Sequence, residues 1–554
     1  MIVRDEGHIV HEVLDSVAAY IDSWVIVDTG SGDGTQQKVR DRMHALGIDG
    51  ELHERPWRDF GHNRSEAIAL ARGHADYIWV MDADDLLVGT PDFSDLTADV
   101  YQLQYGPDVT YWRRQLFRDG LPWRYVGVLH EYADCDGPFT EDQLGGRYHI
   151  ESRRLGNRNL DPDKYARDAE VLRAEVERHP DDPRSVFYLA QSYYDFGDFA
   201  NARQWYQRRS EMTGFEEETF YALLRVADAM SNLGEPWPQV QQAYLRAWEF
   251  RPTRAEPLYA IARSYRMDGR YQLGHLFAEK AAQIPLPAQD ALFVAAEIYT
   301  WRADDEQAVC GSWIGCHGET VELCRRILRR NDVPEEDRLR IVANRDCSAP
   351  AMFDEMAAYP DTTVRTVSAM PRDGDVTVTV IAGPDRTATE RTLNSFLRCC
   401  SDFGSLGPVL IVDVGMSADD RDALGELYPF AEIRRLSPGA RPAQIRDEVG
   451  SRFWFHLGMG WQFFTVDDYL TRLVAVLDGE SDVYQVGVNY GNADTLNGSV
   501  APLKAVRCTA SGERYVLADA VATGPAMFDC ARLDRRDSHD GMATLDEVLC
   551  VLRV

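Results

Sequence analysis

The sequence is short of positive charge and of long apolar runs. Its 554 residues include 59 lysines and arginines against 90 aspartates and glutamates, which gives a formal net charge of -31. Such an acidic surface repels nucleic acid and anionic membranes, so we expect neither as a partner. No segment approaches the apolar length of a membrane span, and the amino terminus has no charged-then-apolar signal pattern. These absences predict a soluble, cytoplasmic protein.

Cysteine pairs with C-x-x-C spacing and several familiar catalytic motifs are also missing. The ten cysteines contain no C-x-x-C pair, so we expect mostly reduced thiols. A histidine and three cysteines do lie close together in the sequence, at Cys310, Cys316, His317 and Cys324. Their spacing fits no common zinc site. A Walker lysine loop, a Gly-x-Ser-x-Gly elbow and a His-Glu-x-x-His helix are all absent.

The most informative segment that is present ends in a cluster of aspartates. Residues 77–85 read Tyr-Ile-Trp-Val-Met-Asp-Ala-Asp-Asp, which predicts a buried strand followed by Asp82, Asp84 and Asp85. Carboxylates at the carboxyl end of a parallel strand face the ligand crevice, where they hold hard divalent cations beside substrate phosphates. The alternative is a solvated acidic turn.

A second apolar run upstream also ends in a carboxylate. Residues 24–28 read Trp-Val-Ile-Val-Asp, and a glycine-rich loop follows over residues 29–35. Between the two acidic strand ends, the apolar spacing of residues 59–71 predicts an amphipathic helix. Strands that alternate with helices predict a parallel, Rossmann-like sheet, so both acidic ends should face one crevice.

These segments resemble the inverting nucleotide-sugar glycosyltransferases of family 2, which have the GT-A fold. The resemblance covers residues 1–155 and keeps the family's order of segments: Met1–Glu6, Val25–Thr35, Asn63–Arg64, Met81–Asp85, Arg114–Arg118 and Val126–Glu131. The last two segments resemble the acceptor side of family members that carry helical repeats. Because members usually have residues before the first strand, where this chain starts at Met1, we expect a short first strand or upstream sequence.

The resemblance implies a metal-assisted transfer from a nucleoside diphosphate sugar. A divalent cation, manganese or magnesium, is expected on Asp82 and Asp84. There it would act as a Lewis acid and neutralise the departing diphosphate. His149 is a candidate for a further metal or phosphate contact, although a lone histidine is more often structural.

The resemblance also implies which residues bind the nucleotide-sugar donor and which residue activates the hydroxyl acceptor. The nucleoside, expected to be uridine, is assigned to Asp28 and Glu6. The diphosphate is assigned to Arg64, because a guanidinium forms charge-assisted hydrogen bonds with phosphate. Inversion requires a base opposite the leaving group, and Glu131 is the candidate. The alternative is that Glu131 and His130 form a surface pair.

Two rival enzyme classes fit the spacing less well. A dinucleotide-binding loop needs G-x-G-x-x-G, but Thr35 stands where the third glycine after Gly30 and Gly32 is required. A phosphotransferase of the haloacid dehalogenase type would use Asp82 as its nucleophile. It has Thr or Val where this chain has Leu86.

From about residue 160 the sequence becomes helical and repetitive. Tyr188, Tyr221 and Tyr259 are separated by 33 (188 to 221) and 38 (221 to 259) residues, and Phe293 follows 34 residues after Tyr259. This is the period of tetratricopeptide repeats, whose helix pairs must stack to bury their apolar faces. Three roles remain open for them: holding a peptide or protein acceptor, pairing two protomers as a homo-oligomer, or spacing the terminal domains.

After a linker over residues 348–374, strands and helices alternate again. Residues 409–415, Val-Leu-Ile-Val-Asp-Val-Gly, parallel residues 25–30. Where Asp82 and Asp84 would fall stand Gly458, Met459 and Gly460, whose side chains cannot bind a hard cation. We expect a second GT-A-like domain without metal-dependent catalysis, in which Asp467 and Asp468 cap a helix.

The sequence thus predicts an α/β protein with a central all-α segment. Residues 1–155 form a GT-A glycosyltransferase domain, residues 160–347 tetratricopeptide-like repeats, and residues 373–554 a degenerate GT-A-like domain. The predicted activity is metal-dependent transfer of a sugar from a nucleotide sugar to a hydroxyl acceptor, for which a protein is one candidate. The alternative is a repeat-based scaffold whose first domain binds nucleotide sugar without catalysis.

Overall fold

A computed structural model of the chain describes residues 1–106, 111–438, 441–535 and 541–553. The chain divides into two compact units, residues 1–257 with 287–294 and residues 258–286 with 295–554. Within the described ranges, no helix is both long enough and apolar enough to cross a bilayer.

The first unit opens with alternating strands and helices. In chain order they are β1 (Ile2–Val3), α1 (Val10–Val17), β2 (Trp24–Asp28), α2 (Thr35–Leu46), β3 (Gly50–Glu54), α3 (Phe60–Ala71) and β4 (Tyr77–Trp79). Strands β1, β2 and β3 form a parallel sheet with β2 in the middle. Asp28 is the last residue of β2, so its carboxylate lies at the carboxyl edge of the sheet.

The local sequence explains where α3 begins and where β4 differs from prediction. Asp59 caps α3, because its carboxylate accepts a hydrogen bond of 2.7 Å from the backbone N–H of His62. The strand predicted over residues 77–85 is only three residues long and half-buried. The chain turns after it, and Asp85 begins the next strand.

A second sheet completes the α/β part of the first unit. Its strands and a separate hairpin are β5 (Asp85–Asp92), β6 (Val100–Tyr105), β7 (Tyr111–Arg118), β8 (Trp123–Val126), β9 (Tyr132–Cys135), β10 (Glu141–Gln143) and β11 (Gly145–Ser152). The order in the sheet is β4-β7-β6-β11-β5, with β10 also paired to β6. The β8–β9 hairpin stands apart and carries Glu131 in its connection.

Antiparallel helix pairs follow. They are α4 (Lys164–Arg178), α5 (Pro183–Phe196), α6 (Phe199–Ser210), α7 (Glu216–Asn232) and α8 (Trp237–Phe250), and each packs on the next. Gly197 ends α5 in the left-handed conformation, φ 89°, and Asp198 caps α6. Tyr188 and Tyr221 occupy matching buried positions on α5 and α7, as the predicted repeat requires.

The predicted repeat position at Phe293 is wrong. Phe293 has φ 48° and lies outside any helix, so the third interval does not lead to a fourth helix in matching position. Its ring instead packs on Phe187 and Tyr221. Counting residues finds the period but cannot detect a left-handed backbone turn.

The helices continue towards the carboxyl-terminal part of the chain. They are α9 (Glu256–Met267), α10 (Tyr271–Ala282), α11 (Ala303–Trp313), α12 (His317–Leu328), α13 (Glu335–Ser348), α14 (Phe353–Ala357) and α15 (Asp361–Ala369). Residues 298–302 form a π-helical turn that leads into α11.

The second unit ends in a large mixed sheet. Its elements are β12 (Val376–Ala382), α16 (Arg386–Cys399), β13 (Leu406–Asp413), α17 (Ala418–Leu427), β14 (Ala431–Arg435), α18 (Pro442–Arg446), β15 (Phe453–Leu457), β16 (Trp461–Phe463), α19 (Tyr469–Gly479), β17 (Val483–Gly487), β18 (Arg507–Cys508), β19 (Arg514–Ala518), β20 (Ala526–Asp529), α20 (Cys530–Arg535), β21 (Gly541–Leu545) and β22 (Cys550–Leu552). The sheet order is β14-β13-β12-β15-β20-β17-β21-β19-β18, and β16 pairs with β22.

The two α/β parts share the arrangement of their first three strands. Strands β14, β13, β12 and β15 are parallel neighbours in the sheet. Counted along the chain, they are the third, second, first and fourth strands of this part. Strands β3, β2 and β1 repeat the first three positions of that order. Strand β4 pairs with β7 instead, and a cavity of about 350 Å³ is lined by residues of β1, β2 and β4.

A buried ion network joins α12 to the last sheet within the second unit. Glu547 accepts from Arg325 at 2.9 Å and contacts Arg472 at 3.1 Å, and Arg325 also contacts Asp467 at 2.6 Å. Burial alone would raise the pKa of Glu547, but the surrounding arginines outweigh it and hold that pKa well below its ordinary value. Asp468 occupies the N-cap position of α19, as the sequence predicts, but neither its carboxylate nor that of Asp467 accepts a capping hydrogen bond.

We predict that Glu547→Gln lowers the free energy of unfolding at pH 7 by about 3 kcal/mol, since it leaves buried arginines without their counter-charge. Calorimetric unfolding of the full chain measures this loss. The difference from wild type should shrink below pH 4.5, where the carboxylate contribution fades as the unfolded chain takes up protons. Asp332→Asn, at the exposed Arg330–Asp332 pair, should cost less than about 1 kcal/mol. Equal losses in both variants would contradict the prediction.

Candidate active site

Arg64 connects two carboxylates that are far apart in the sequence. Its guanidinium contacts Asp82 at 2.5 Å and Glu131 at 2.6 Å. The side chains of Arg64 and Glu131 are 8% and 7% exposed, so this ion pair is almost fully removed from water. The structure therefore brings Asp82, the first residue of the aspartate cluster, and the candidate base together at one cation.

Close backbone packing holds this arrangement in place. The first turn of α3 approaches the β8–β9 connection so tightly that a Cβ on Gly61 would lie 2.4 Å from the carbonyl oxygen of Gly127. Ser65 accepts a hydrogen bond of 2.8 Å from the backbone N–H of Tyr125. Only glycine fits at position 61, and the contact fixes the connection that carries Glu131 against the helix that carries Arg64.

Asp82 has a second arginine partner that the sequence interpretation missed. Arg113 on β7 donates to the other carboxylate oxygen of Asp82 at 3.2 Å. Burial alone would raise the pKa of Asp82, but Arg64 and Arg113 outweigh it and hold that pKa below its ordinary value. The segment used for the family resemblance starts one residue after Arg113, and only the pairing of β4 with β7 places it here.

Asp84 and Glu6 form a separate acidic pair. Asp84 accepts from the backbone N–H of Gly156 at 3.0 Å, and Glu6 accepts from the N–H of Asn157 at 3.3 Å. A Cβ on Gly156 would lie 3.2 Å from the Asp84 carboxylate and 3.3 Å from that of Glu6. Burial raises the pKa of Glu6, and the neighbouring Asp84 charge adds to the effect. Two half-buried carboxylates thus face the same backbone turn.

Asp28 uses one oxygen to hold its own loop and keeps the other free. Its Oδ1 accepts from the backbone N–H groups of Gly30 and Ser31, both at 2.9 Å, and from Gln36 at 3.1 Å. Its Oδ2 is buried and has no hydrogen-bond partner among the described residues. A buried carboxylate oxygen without a donor is unfavourable in the free protein, so a ligand N–H or O–H at this position would gain a strong bond.

The second α/β part repeats this loop but fills the free position. Asp413 accepts from the backbone N–H groups of Gly415 and Met416 at 2.9 and 2.8 Å, the same pattern as at Asp28. Its Oδ2, however, accepts from Arg421 at 2.9 Å. The two domains therefore share a loop geometry and differ in whether the carboxylate can receive a ligand.

Asp85 and His149, two further candidate residues, lie apart from these contacts. Asp85 turns into the core, where it accepts from Tyr105 at 2.9 Å, and burial together with the Asp82 charge raises its pKa to about 7. His149 lies on β11 opposite Val88, and within the described part of the chain no hydrogen bond or ion pair joins it to Asp82 or Asp84. Its role as a ligand stays a prediction.

The connection that carries Glu131 also rests on the first helical repeat. Arg184 on α5 donates two hydrogen bonds to the carbonyl oxygen of His130, at 2.9 and 3.2 Å. The imidazole of His130 stacks on Tyr188 with ring centroids 3.9 Å apart. Glu131 and His130 do not form the surface pair that the sequence left open, because Glu131 turns inwards to Arg64 and His130 turns to α5.

Comparison with known proteins finds a family match in the amino-terminal part of the chain. Residues 1–98 match the family profile of Glycosyl transferase family 2. A TPR repeat-containing protein of Synechococcus elongatus is 28% identical over 253 residues, which cover 40% of this chain and 59% of that protein. The chain thus spans about three fifths of the length of this curated relative.

Solved structures match about a third of the chain at low similarity. MamA from Desulfovibrio magneticus RS-1, residues 41 to the end, matches with 13% identity and a TM-score of 0.25, over 32% of this chain and 92% of its own. YrrB, a TPR protein with an unusual peptide-binding site, matches with 10% identity and a TM-score of 0.26, over 33% of this chain and 84% of its own. Neither likeness is close enough to carry a functional argument.

We predict that Arg64→Leu lowers the free energy of unfolding by about 3–5 kcal/mol, because Asp82 and Glu131 lose their shared buried cation. Thermal or denaturant unfolding of the full chain measures the loss. Arg55→Leu is the matched control. Arg55 precedes α3 and contacts Glu66 of that helix at 3.0 Å, but its side chain is 35% exposed. Its replacement should therefore lower the free energy of unfolding by less than about 1 kcal/mol. An unchanged stability of Arg64→Leu would show that the central ion pair is not formed.

Proposed function

We propose that the amino-terminal α/β part is an inverting glycosyltransferase. It moves a sugar from a nucleoside diphosphate donor, with uridine as the expected nucleoside, to a hydroxyl acceptor. The observation that carries this proposal is the contact of Arg64 with both Asp82 and Glu131, because it brings a D-x-D carboxylate and a candidate base to one cation. The match of residues 1–98 to Glycosyl transferase family 2 supports the same reaction class.

The carboxylate oxygens of Asp84 and Glu6 are suitable ligands for a hard divalent cation. Asp84 and Glu6 offer carboxylate oxygens beside the same backbone turn, and oxygen ligands of this type suit manganese or magnesium. Bound there, the ion would supply positive charge to the leaving diphosphate. Asp82, whose oxygens both contact arginines, is better suited to hold Arg64 and Arg113 towards the phosphates than to bind the ion directly.

Asp28 is proposed to recognise the nucleoside. Its unpaired, buried Oδ2 is an acceptor, and the N3–H group of uracil or a ribose hydroxyl is a donor of the matching type. Because the carboxylate is already fixed by Gly30 and Ser31, little conformational freedom is lost when the ligand binds. Arg64 and Arg113 then face the diphosphate with charge-assisted donors.

Glu131 is proposed as the base. In an inverting transfer the acceptor oxygen attacks the anomeric carbon as the bond to the diphosphate breaks, and the acceptor proton passes to a carboxylate. Glu131 is anchored at a fixed place by Arg64 and by the turn after Gly127, which suits a group that must meet a hydroxyl within hydrogen-bond distance. Its neighbour His130 packs on α5, so an acceptor held by the helical repeats would reach the same turn.

The second α/β part is proposed to have a non-catalytic role. Arg421 occupies the oxygen of Asp413 that corresponds to the free oxygen of Asp28, and residues 458–460 offer no carboxylates. The alternative for the whole chain is a repeat-based scaffold whose first domain binds nucleotide sugar without turnover.

We predict that Asp28→Asn weakens the binding of uridine diphosphate at least about tenfold, because the charged acceptor for the nucleoside is lost. Isothermal titration of the full chain with uridine diphosphate and manganese measures the affinity. Asp413→Asn, the matched change in the second α/β part, should leave the affinity unchanged. Equal effects in the two variants, or none in either, would contradict the assignment.

Substitutions at Asp84 and at Glu131 should have different effects on donor binding and on sugar transfer. Asp84→Asn is expected to abolish manganese-dependent donor binding and turnover, whereas Glu131→Gln should keep donor binding and reduce release of the diphosphate nucleoside by a factor of about 10² or more. A panel of nucleotide sugars tested with manganese provides the assay. Full activity of Glu131→Gln would place the base elsewhere, and failure of wild type to bind or hydrolyse any donor would favour the scaffold.

A further inference from the structure

Three potential metal ligands converge within the helices of the second unit. His275 lies on α10, Cys316 directly precedes α12, and Glu319 lies in the first turn of α12. One ligand atom from each lies within 4.8 Å of the other two. The set combines an imidazole, a thiol and a carboxylate, which are the ligand types that zinc takes in proteins.

The ligands are already oriented by contacts around them. His275 Nε2 and Glu319 Oε2 are 2.7 Å apart, and the other oxygen of Glu319 accepts from the side-chain amide of Gln307 at 2.7 Å. Gln307 is 7% exposed, so it holds the carboxylate from the protein side. Such outer contacts are typical of metal sites, because they fix the direction of the ligating atoms.

The turn before α12 brings the thiol to the imidazole. Gly315 adopts φ 86°, which lets the chain reverse after α11, and the backbone N–H of Cys316 donates to Gly311 at 2.9 Å. A Cβ on Gly311 would lie 3.6 Å from both the Cβ of Cys316 and the ring of His275. A glycine at position 311 therefore leaves the space between the two ligands open.

The sequence cluster around Cys316 is not the site. Cys310 and Cys324 are fully buried, and burial raises the pKa of each thiol to about 12. Metal binding requires a thiolate, which these two positions disfavour. Cys316 is half-buried, and its potential partners come from a different helix and from the following turn.

We propose that His275, Cys316 and Glu319 bind a zinc ion, with a water molecule as the fourth ligand. In a tetrahedral site the ligand atoms are roughly 3.5 Å apart, so the three side chains need only a small inward shift. When the ion binds, the Cys316 thiol releases its proton to solvent as the zinc–sulfur bond forms, and the hydrogen between His275 and Glu319 leaves Nε2 so that this nitrogen can bind zinc. A thiolate with an imidazole selects zinc over the manganese or magnesium proposed at Asp84.

The ion links α10 to the turn between α11 and α12. Because binding needs the folded arrangement of all three elements, zinc should stabilise this stretch of helices by mass action. This site is independent of the proposed transferase chemistry. Asp84→Asn should leave it intact.

Competition between the full chain and a chromophoric zinc chelator tests the proposal. The wild type is expected to bind one zinc equivalent, and Cys316→Ser, His275→Ala and Glu319→Gln should each raise the Kd at least about tenfold. Gln307→Leu should raise it by about tenfold through loss of the outer contact. Cys347→Ser, at an exposed cysteine outside the cluster, is the control and should leave the Kd unchanged.

Cobalt provides a second readout that does not depend on affinity. With Co²⁺ as the probe, the wild type and Cys347→Ser should show a thiolate-to-cobalt charge-transfer band, and Cys316→Ser should not. Circular dichroism establishes that each variant is folded. The proposal is overturned if the wild type binds no zinc equivalent, or if folded Cys316→Ser and His275→Ala bind zinc as tightly as Cys347→Ser.

Discussion

One buried arginine holds the candidate active site together. Arg64 contacts both Asp82 and Glu131, and together with Arg113 it supplies the positive charge without which these two carboxylates would be costly to bury. Its position depends on the glycine contact between the start of α3 and the β8–β9 connection. Asp82 and Glu131 are therefore held at fixed positions relative to each other before any ligand binds, as an electrostatically pre-organised site requires.

The chain contains two versions of one α/β scaffold with different charge patterns. Both place an aspartate at the end of the second strand and tie one of its oxygens to the following loop. In the first version the other oxygen has no hydrogen-bond partner in the described part of the chain, and in the second it accepts from Arg421. The fold is thus compatible with either a binding site or an internally neutralised core, and the local partners decide between them.

Local signals predicted many elements of the fold and some of the residues that the structure brings together around Arg64. Asp59 capping α3, the loop after Asp28 and the period of the first helical repeats are all visible in short stretches of sequence. Arg113 and the inward turn of Asp85 are not, because they depend on strand pairing between distant segments. Phe293 was misplaced because spacing alone does not reveal a left-handed residue, and His275 was missed because it reaches Cys316 from another helix.

The most direct test of this account is anomalous diffraction from crystals of the full chain grown with uridine diphosphate and manganese. The account predicts a manganese peak at the Asp84 carboxylate, next to the diphosphate, and the nucleoside against the free oxygen of Asp28. A nucleotide bound beside Asp413, or a peak remote from Asp84, would contradict it.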